Sequence, residues 1–295
     1  MKLFSDTLCE EIIDPEEECF LLFSQSIPSQ NLGFVDSKAN VLELTINDRD
    51  LTIHQSPTIL SSHRAGGTTG AVVWKITPLF ASWITSTSKF LLKQQILDSN
   101  SNVLELGCGI SGIIGLSLAP IINSYVLTDQ EYVLKILNEN LLENQRDTSA
   151  STKSRKSTAK PKRGSVPAVQ GQPHSNISAR PLDWETDEVT ASLTGSDTKK
   201  SFDAVIACDC IYNDALIDPF VQTCVDACKL RNLEETGQTR PTVCVVAQQL
   251  RSAEVFEGWL KAFFKEFRVW RVSDEELIDG LRTDSGFVIH VGILR

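Results

Sequence analysis

Residues 103–112 read VLELGCGISG, in which a short apolar run leads directly into a turn containing three glycines. The apolar run predicts a buried strand, and the residues after the turn predict a helix from Ser111 to Ala119. Gly107 and Gly109 allow positive φ and a close approach of the backbone to a ligand. Gly112 permits tight packing of the helix against the strand. The stretch therefore predicts a strand–turn–helix unit that binds a ligand at its turn.

A carboxylate follows this turn at the distance expected for a cofactor that contains ribose. Residues 125–128, YVLT, predict a second strand, and Asp129 ends it about twenty residues after the turn. A carboxylate in that position can bind the ribose hydroxyls, so the combination predicts an adenosine-containing cofactor. The glycines also satisfy the G-x-G-x-x-G dinucleotide pattern, so both S-adenosylmethionine and NAD are compatible with this motif.

Glu105, just before the glycine turn, favours S-adenosylmethionine. A dinucleotide places its pyrophosphate at the helix N-terminus, where the helix neutralises it. S-adenosylmethionine instead carries a sulfonium, whose positive charge suits a nearby carboxylate. A buried glutamate with a purely structural hydrogen bond is the alternative interpretation.

Strands and helices alternate along the chain from residue 102 onwards. Further buried or closing strands are predicted at residues 177–184, 202–207, 243–247, 267–272 and 287–294. This alternation predicts an α/β fold with a Rossmann-like, largely parallel sheet of seven strands and helices on both faces. Upstream, residues 41–46 and 51–53 flank Asn47 and Asp48 and predict an N-terminal β-hairpin.

We divide the chain into an N-terminal extension (residues 1–68) with the β-hairpin and an α/β domain (residues 69–295) with an insertion at residues 145–179. The insertion is rich in Ser, Thr, Lys, Arg and Pro and has few large apolar residues, which predicts disorder. Its basic cluster, residues 153–163, favours a solvated loop. A nuclear-localisation signal and an RNA-contacting patch are the alternatives.

The composition narrows the classes of partner. A formal net charge of −10 disfavours binding to duplex DNA and is compatible with a basic protein substrate. Residues 1–14 lack the pattern of a secretory signal, and no apolar run is long enough to span a bilayer. We therefore expect a cytoplasmic protein, with the nucleus as a second location. For the oligomeric state we take a monomer as the default expectation. The eight cysteines include no CxxC pair, and the four histidines are scattered, which favours structural thiols over a metal site.

Several motifs resemble those of a known family. Residues 103–112 are similar to motif I of the seven-strand class I methyltransferases. Further matches point to the lysine methyltransferase branch called methyltransferase family 16, and within it to the fungal ribosomal lysine N-methyltransferase 5 group. These matches are residues 69–74 (TGAVVW), 128–130 (TDQ), 182–185 (LDWE), 208–213 (CDCIYN) and 216–220 (LIDPF).

The resemblance implies the chemistry of the site. Its cofactor is S-adenosyl-L-methionine and its substrate a lysine of a folded protein, for this group a large-subunit ribosomal protein of the L1 class. Asp209 and Tyr212 are the implied catalytic residues that face the lysine. The implied cofactor-binding residues are Trp74, Glu105, Gly107, Cys108, Gly109, Asp129, Trp184 and Ala207. Among them Ala207 contributes its backbone, and Trp184 flanks the adenine together with Asp183. Relatives often have Ala in place of Cys108, and a thiol should fit there.

Other interpretations of these residues stay open at this point. Trp74 and Trp184 could be core aromatics, and Tyr212 could cap a strand end. Asp209 follows the end of a predicted buried strand, where open α/β sheets bind ligands, and this favours a functional role. At the level of the whole protein, the alternatives are an NAD-dependent oxidoreductase and an inactive scaffold that kept the methyltransferase fold.

Overall fold

The computed structural model of the chain describes residues 11–28, 33–62, 67–86, 90–93, 95–151, 176–234 and 240–295. Within these ranges the strands are β1 (Val41–Ile46), β2 (Arg49–His54), β3 (Asn102–Leu106), β4 (Ser124–Asp129), β5 (Ile177–Pro181), β6 (Ala204–Cys208), β7 (Val243–Gln249), β8 (Phe267–Arg271) and β9 (Phe287–Leu294). The helices are α1 (Pro15–Phe23), α2 (Pro57–Leu60), α3 (Ile76–Ile84), α4 (Phe90–Lys93), α5 (Ile113–Leu118), α6 (Glu131–Ser151), α7 (Ile217–Lys229) and α8 (Ala253–Glu266). No helix in the described part of the chain is both long and apolar enough to cross a bilayer.

Seven strands form the central sheet in the order β5-β4-β3-β6-β7-β9-β8. Strands β3, β6 and β7 are buried at every residue, as expected for parallel strands that are covered by helices on both faces. Strand β9 runs antiparallel to both β7 and β8. The predicted Rossmann-like α/β sheet is confirmed. The reversed β9, inserted between β7 and β8, distinguishes it from the six-stranded parallel order 3-2-1-4-5-6 of dinucleotide-binding domains.

The predicted hairpin is present as the separate two-stranded sheet β1–β2. Asn47 and Asp48 have φ values of 47° and 64°. A two-residue turn with positive φ at both positions matches the right-handed twist of the flanking strands. Leu51 and Ile53 are buried in the same hydrophobic cluster as the central sheet, so the hairpin packs onto the α/β domain.

Two asparagines of α6 attach the hairpin to the sheet. The Asn140 side chain accepts from the His54 N–H at 2.8 Å and donates to the His54 carbonyl at 2.9 Å. Asn144, one turn later, makes the same pair of bonds with Thr52 at 2.9 Å each. Asn140 also donates to the carbonyl of Ile110 at 2.7 Å, which links the hairpin to the glycine-rich turn.

Both ends of the predicted insertion, residues 145–179, differ from the prediction. Helix α6 continues to Ser151, and β5 begins at Ile177. The basic cluster lies within residues 152–175, which are outside the described ranges.

Helix α1 was not predicted from the sequence, although Asp14 and Pro15 form a recognisable helix start. The Asp14 carboxylate accepts from the backbone N–H of Glu16 at 2.8 Å, and Pro15 occupies the first turn. Glu18, on the inner face of α1, contacts Arg271 Nη1 at 3.1 Å and His290 Nε2 at 3.2 Å. The helix is therefore joined to strands β8 and β9 by a buried polar cluster.

We expect Asn140→Ala to lower the free energy of unfolding by about 2–4 kcal/mol, because it leaves three buried peptide groups without partners. The measurement is urea unfolding, with Asn138→Ala as the matched control. Asn138 lies on the exposed face of the same helix and bonds only locally, to the carbonyl of Leu134. Equal losses in the two variants would contradict the assigned role of Asn140.

We expect Glu18→Gln to lower the free energy of unfolding by about 2 kcal/mol at pH 7. Burial raises the pKa of Glu18, but His290 and Arg271 outweigh it, so the pKa is lowered overall. A lowered pKa gives stability that is present above the unfolded-state value near 4.3 and is lost as the pH falls through the folded-state value. The difference between wild type and variant should therefore shrink between pH 7 and pH 3.5, and should stay near zero throughout for the exposed Glu17→Gln.

Candidate active site

The carboxyl ends of β3, β4 and β6 open onto one cavity of about 410 Å³. Strand order reverses at β3, between its neighbours β4 and β6, which is where open α/β sheets bind their ligands. The wall contains most of the predicted site residues, namely Trp74, Glu105, Gly107, Cys108, Gly109, Asp129, Asp183, Trp184, Asp209 and Tyr212.

The glycine turn lies at the centre of the wall. Gly107, Gly109 and Gly112 have φ values of 67°, 60° and 59°, in the region that favours glycine. A Cβ at Gly107 would lie 2.7 Å from the sulfur of Cys210, and a Cβ at Gly109 would lie 3.2 Å from the carbonyl oxygen of Gly70. The turn therefore presents backbone to the cavity, and its first two glycines have no room for a side chain.

Asp129 ends β4 opposite this turn. One carboxylate oxygen accepts from the N–H of Gly109 at 2.8 Å, and the other accepts from the N–H of Gln130 at 2.7 Å. Burial raises the pKa of Asp129 to about 6, against the opposing effect of these two hydrogen bonds. The carboxylate is thus held in place and remains mostly ionised at neutral pH, as a partner for hydroxyl donors must be.

Glu105 faces the cavity from β3 and is buried. Its Oε2 accepts from the hydroxyl of Tyr125 at 2.7 Å. Burial raises the pKa of Glu105 to about 8, with the Tyr125 bond acting in the opposite direction. The sequence leaves two roles open for Glu105, a carboxylate facing the cofactor and a buried glutamate with a structural hydrogen bond. In the structure Glu105 both faces the cavity and makes a structural hydrogen bond. Without a nearby cation it is largely protonated at neutral pH, and a positive ligand would favour its ionised form.

Two tryptophans are among the residues that line the cavity. The indole N–H of Trp74 donates to the Thr69 carbonyl at 3.1 Å, and its ring packs against Phe34. Trp184 packs edge-on against Phe220, and its buried indole N–H has no hydrogen-bond partner among the described residues. Both rings line the cavity as well as packing against the protein.

Asp209 and Tyr212 follow β6. Asp209 has a φ of 60°, unusual for a residue with a side chain, and its side chain is only 2% exposed. Arg251 donates to its two oxygens at 2.7 and 2.5 Å, and the Gln249 N–H donates at 3.3 Å. Tyr212 is 43% exposed at the mouth of the cavity. Asp209 thus lies on the predicted wall, but its charge is already paired with an arginine.

Ala207 is the predicted site residue that the cavity wall does not contain. It is buried in β6, where it pairs with Leu106 and packs in the hydrophobic cluster on the opposite face of the sheet. Because side chains alternate between faces along a strand, the following residue, Cys208, lines the cavity instead. A role for Ala207 in cofactor binding is therefore restricted to its backbone.

Three thiols also line the cavity, those of Cys108, Cys208 and Cys210. Burial raises the pKa of each thiol well above its usual range. Since the thiolate is the reactive form of cysteine, these side chains act as small neutral wall groups and not as nucleophiles.

Arg251 is a residue of this region that sequence analysis missed. It follows the carboxyl end of β7 by two residues, so its position relative to a predicted buried strand was the available signal. Its guanidinium also lies over the ring of Trp74, 4.9 Å from the ring centre. It thereby joins Asp209 to one of the aromatic walls.

The residues present fit S-adenosylmethionine. The cavity volume lies in the range of small-molecule sites. Its glycine cradle admits a closely approaching ligand, Asp129 offers a fixed acceptor for hydroxyls, and Trp184 offers an aromatic face with an unpartnered N–H. Glu105 and Asp129 give the cavity the negative character that a sulfonium requires.

We expect the affinity for S-adenosylhomocysteine to fall about fourfold between pH 7.5 and pH 5.5, because Asp129, with a pKa of about 6, is ionised at the higher pH and mostly neutral at the lower. Asp129→Asn should weaken binding about tenfold at pH 7.5 and remove this pH dependence. Calorimetric titration at both pH values measures each effect. Asp226→Asn, on the surface of α7, is the control. A pH dependence that persists in Asp129→Asn would assign it to another group.

Comparisons with known proteins agree on one family. A family model described as lysine methyltransferase matches residues 53–158. The ribosomal lysine N-methyltransferase 5 of Zygosaccharomyces rouxii is 32% identical, over 75% of this chain and 72% of the relative. That of Saccharomyces cerevisiae strain Lalvin EC1118 is 30% identical, over 84% of this chain and 88% of the relative.

A further relative has a different name. The diaminohydroxyphosphoribosylamino-pyrimidine deaminase of Schizosaccharomyces pombe is 30% identical over 89% of this chain, and the chain spans only 54% of that protein's length. With the motifs, the cavity and the relatives taken together, the chain belongs to the lysine methyltransferase family, and its cofactor is S-adenosyl-L-methionine.

Proposed function

We propose that this protein transfers the methyl group of S-adenosylmethionine to the ε-amino group of a lysine in a large-subunit ribosomal protein of the L1 class. The observation that carries the proposal is one cavity lined by two chemically different sets of residues. The glycine turn and Asp129 form what we call the cofactor end, and Asp209 and the exposed Tyr212 form what we call the acceptor end. The names of the Zygosaccharomyces and Saccharomyces relatives support a ribosomal protein as substrate.

The reaction requires an uncharged amine held in line with the methyl group. Lysine has a pKa of about 10.4 in solution and is mostly protonated at neutral pH, so the substrate ammonium must first lose a proton to solvent water. The nitrogen lone pair then forms the new N–C bond while the C–S bond breaks and its electron pair goes to sulfur. The products are S-adenosylhomocysteine and a methylated ammonium. The protein contributes chiefly by holding both partners in that geometry.

The acceptor end suits a long side chain that reaches in from a protein surface. Tyr212 is exposed at the mouth of the cavity. The neutral thiols of Cys208 and Cys210 make this part of the wall weakly polar, which disfavours a bound ammonium. The formal net charge of −10 also suits a basic partner such as a ribosomal protein.

Deamination, named for the Schizosaccharomyces relative, is not the reaction that this chain's residues support. Zinc-dependent nucleobase deaminases carry an H-x-E and a P-C-x-x-C motif, and neither occurs in this sequence. We further propose that the protein acts as a monomer in the cytoplasm, where ribosomal proteins are made, with the nucleus as a second location.

We expect the purified protein to transfer labelled methyl groups to one large-subunit ribosomal protein of the L1 class. The substrate mixture comes from a S. cerevisiae strain that lacks its own ribosomal lysine N-methyltransferase 5, and mass spectrometry identifies the modified lysine. Asp209→Ala should lower the methylation rate at least about tenfold, because it removes the carboxylate that orients the substrate amine. Its affinity for S-adenosylhomocysteine should change little.

Two results would count against this proposal. If S-adenosylhomocysteine binds but no protein in the mixture becomes methylated, the substrate class is wrong or the chain is an inactive scaffold. If Asp209→Ala methylates at the wild-type rate, Asp209 does not belong to the acceptor site.

A further inference from the structure

Arg251 is fixed on three sides. Its two terminal nitrogens bond both oxygens of Asp209, and one of them also donates to the side-chain carbonyl of Gln249 at 2.8 Å. Its guanidinium carbon also lies 4.9 Å from the centre of the Trp74 ring. A planar guanidinium that is held by a fork of hydrogen bonds loses little freedom in that position. Arg251 does not itself line the cavity, but it holds the carboxylate of Asp209, which does, in a fixed position.

The pair determines the charge at the acceptor end of the cavity. Four other carboxyl groups face the same cavity, those of Glu105, Asp129, Asp183 and Glu185. They come from β3, from the end of β4 and from the segment after β5. The remaining titratable groups of the wall are the thiols and tyrosines, which are neutral at physiological pH. An unpaired, ionised Asp209 would add a further negative group to the part of the wall that Tyr212 also lines.

A free carboxylate beside the substrate would impair the reaction. An opposite charge nearby favours the protonated form of an amine, and each unit of raised pKa lowers the fraction of neutral amine tenfold. The substrate would then bind tightly as an ammonium that has no lone pair to attack. A carboxylate paired with arginine can still orient the amine but adds no net charge.

We propose that Arg251 is a positioning residue of the acceptor-lysine site, which keeps Asp209 charge-paired so that the substrate amine binds in its neutral, reactive form. This inference rests on the proposed lysine methylation. It assigns a function to a side chain outside the motifs that carry the family resemblance. It also explains why a buried aspartate with a φ of 60° is held by a two-pronged ion pair.

The test compares single-turnover methylation by wild type, Arg251→Met and Arg251→Lys between pH 6.5 and pH 9.5. The substrate is the same large-subunit protein mixture from the yeast strain that lacks its own enzyme. For Arg251→Met we expect the midpoint of the pH profile to rise by about one unit or more and the rate at pH 7.5 to fall about tenfold. Half-saturation should occur at a lower substrate concentration. Arg251→Lys keeps the positive charge and should restore the wild-type midpoint.

Two controls separate this role from a structural one. Arg240→Met removes an exposed arginine that bonds the carbonyl of Gln95 and should leave rate and midpoint unchanged. The double variant Asp209→Asn/Arg251→Met removes both charges, leaves no unpaired buried carboxylate, and should return the midpoint to the wild-type value even though its rate is low. Unchanged affinity for S-adenosylhomocysteine shows that each variant keeps its fold.

Several results would overturn the inference. A rate for Arg251→Met that is reduced by the same factor at every pH, or a raised half-saturation concentration, would assign Arg251 a purely structural role. The same conclusion follows if the double variant keeps a raised midpoint. If Arg251→Met does not fold, the double variant and Arg251→Lys still decide the question. A wild-type protein that methylates nothing would instead refute the proposed function.

Discussion

The hydrogen bond from the Gly109 N–H to the Asp129 carboxylate joins the two strands on which the site is built. The glycine turn after β3 and the end of β4 are twenty residues apart in sequence, and this bond fixes the position of one against the other. It requires that Gly109 adopt a φ of 60° with Gly70 packed too closely to allow a side chain. It also requires a buried carboxylate, whose pKa rises for that reason. The turn, the strand end and the segment around Gly70 are therefore arranged together.

The parts of the fold that depend on neighbouring residues could be predicted from the sequence. The buried strands, the Asn47–Asp48 turn and the strand–turn–helix unit around Gly107 each have a local pattern that allows few alternatives. Helix α1 also has a local signal, a capping Asp14 followed by Pro15, but its weak amphipathic character concealed it. The packing of α1 depends on Glu18 and its partners on β8 and β9, more than 250 residues away, and no local pattern shows such a contact.

The candidate site divides in the same way. The positions of Asp129, Trp184 and Tyr212 around one cavity follow from the order of parallel strands, because the carboxyl ends of neighbouring strands meet at one edge of the sheet. The hydrogen-bond and ion-pair partners of each group do not follow from that order. Asp209 is paired with Arg251, 42 residues later, and Glu105 is bonded to Tyr125 on the adjacent strand. For Ala207 only a backbone contribution is expected, and its side chain lies in the hydrophobic cluster on the opposite face of the sheet.

The two buried carboxyls also suggest how the site distinguishes its cofactor from its product. Burial raises the pKa of Glu105 to about 8 and that of Asp129 to about 6. Among the described residues of the free protein, neither carboxylate is paired with a positive charge that would offset this burial. A sulfonium supplies that charge, and the neutral thioether left after methyl transfer does not. Glu105 is then stabilised as an anion before the transfer and favours protonation after it. Burial therefore makes the ionisation of Glu105 depend on a positive ligand, and the charge–charge attraction, which the neutral product lacks, is what favours the charged cofactor.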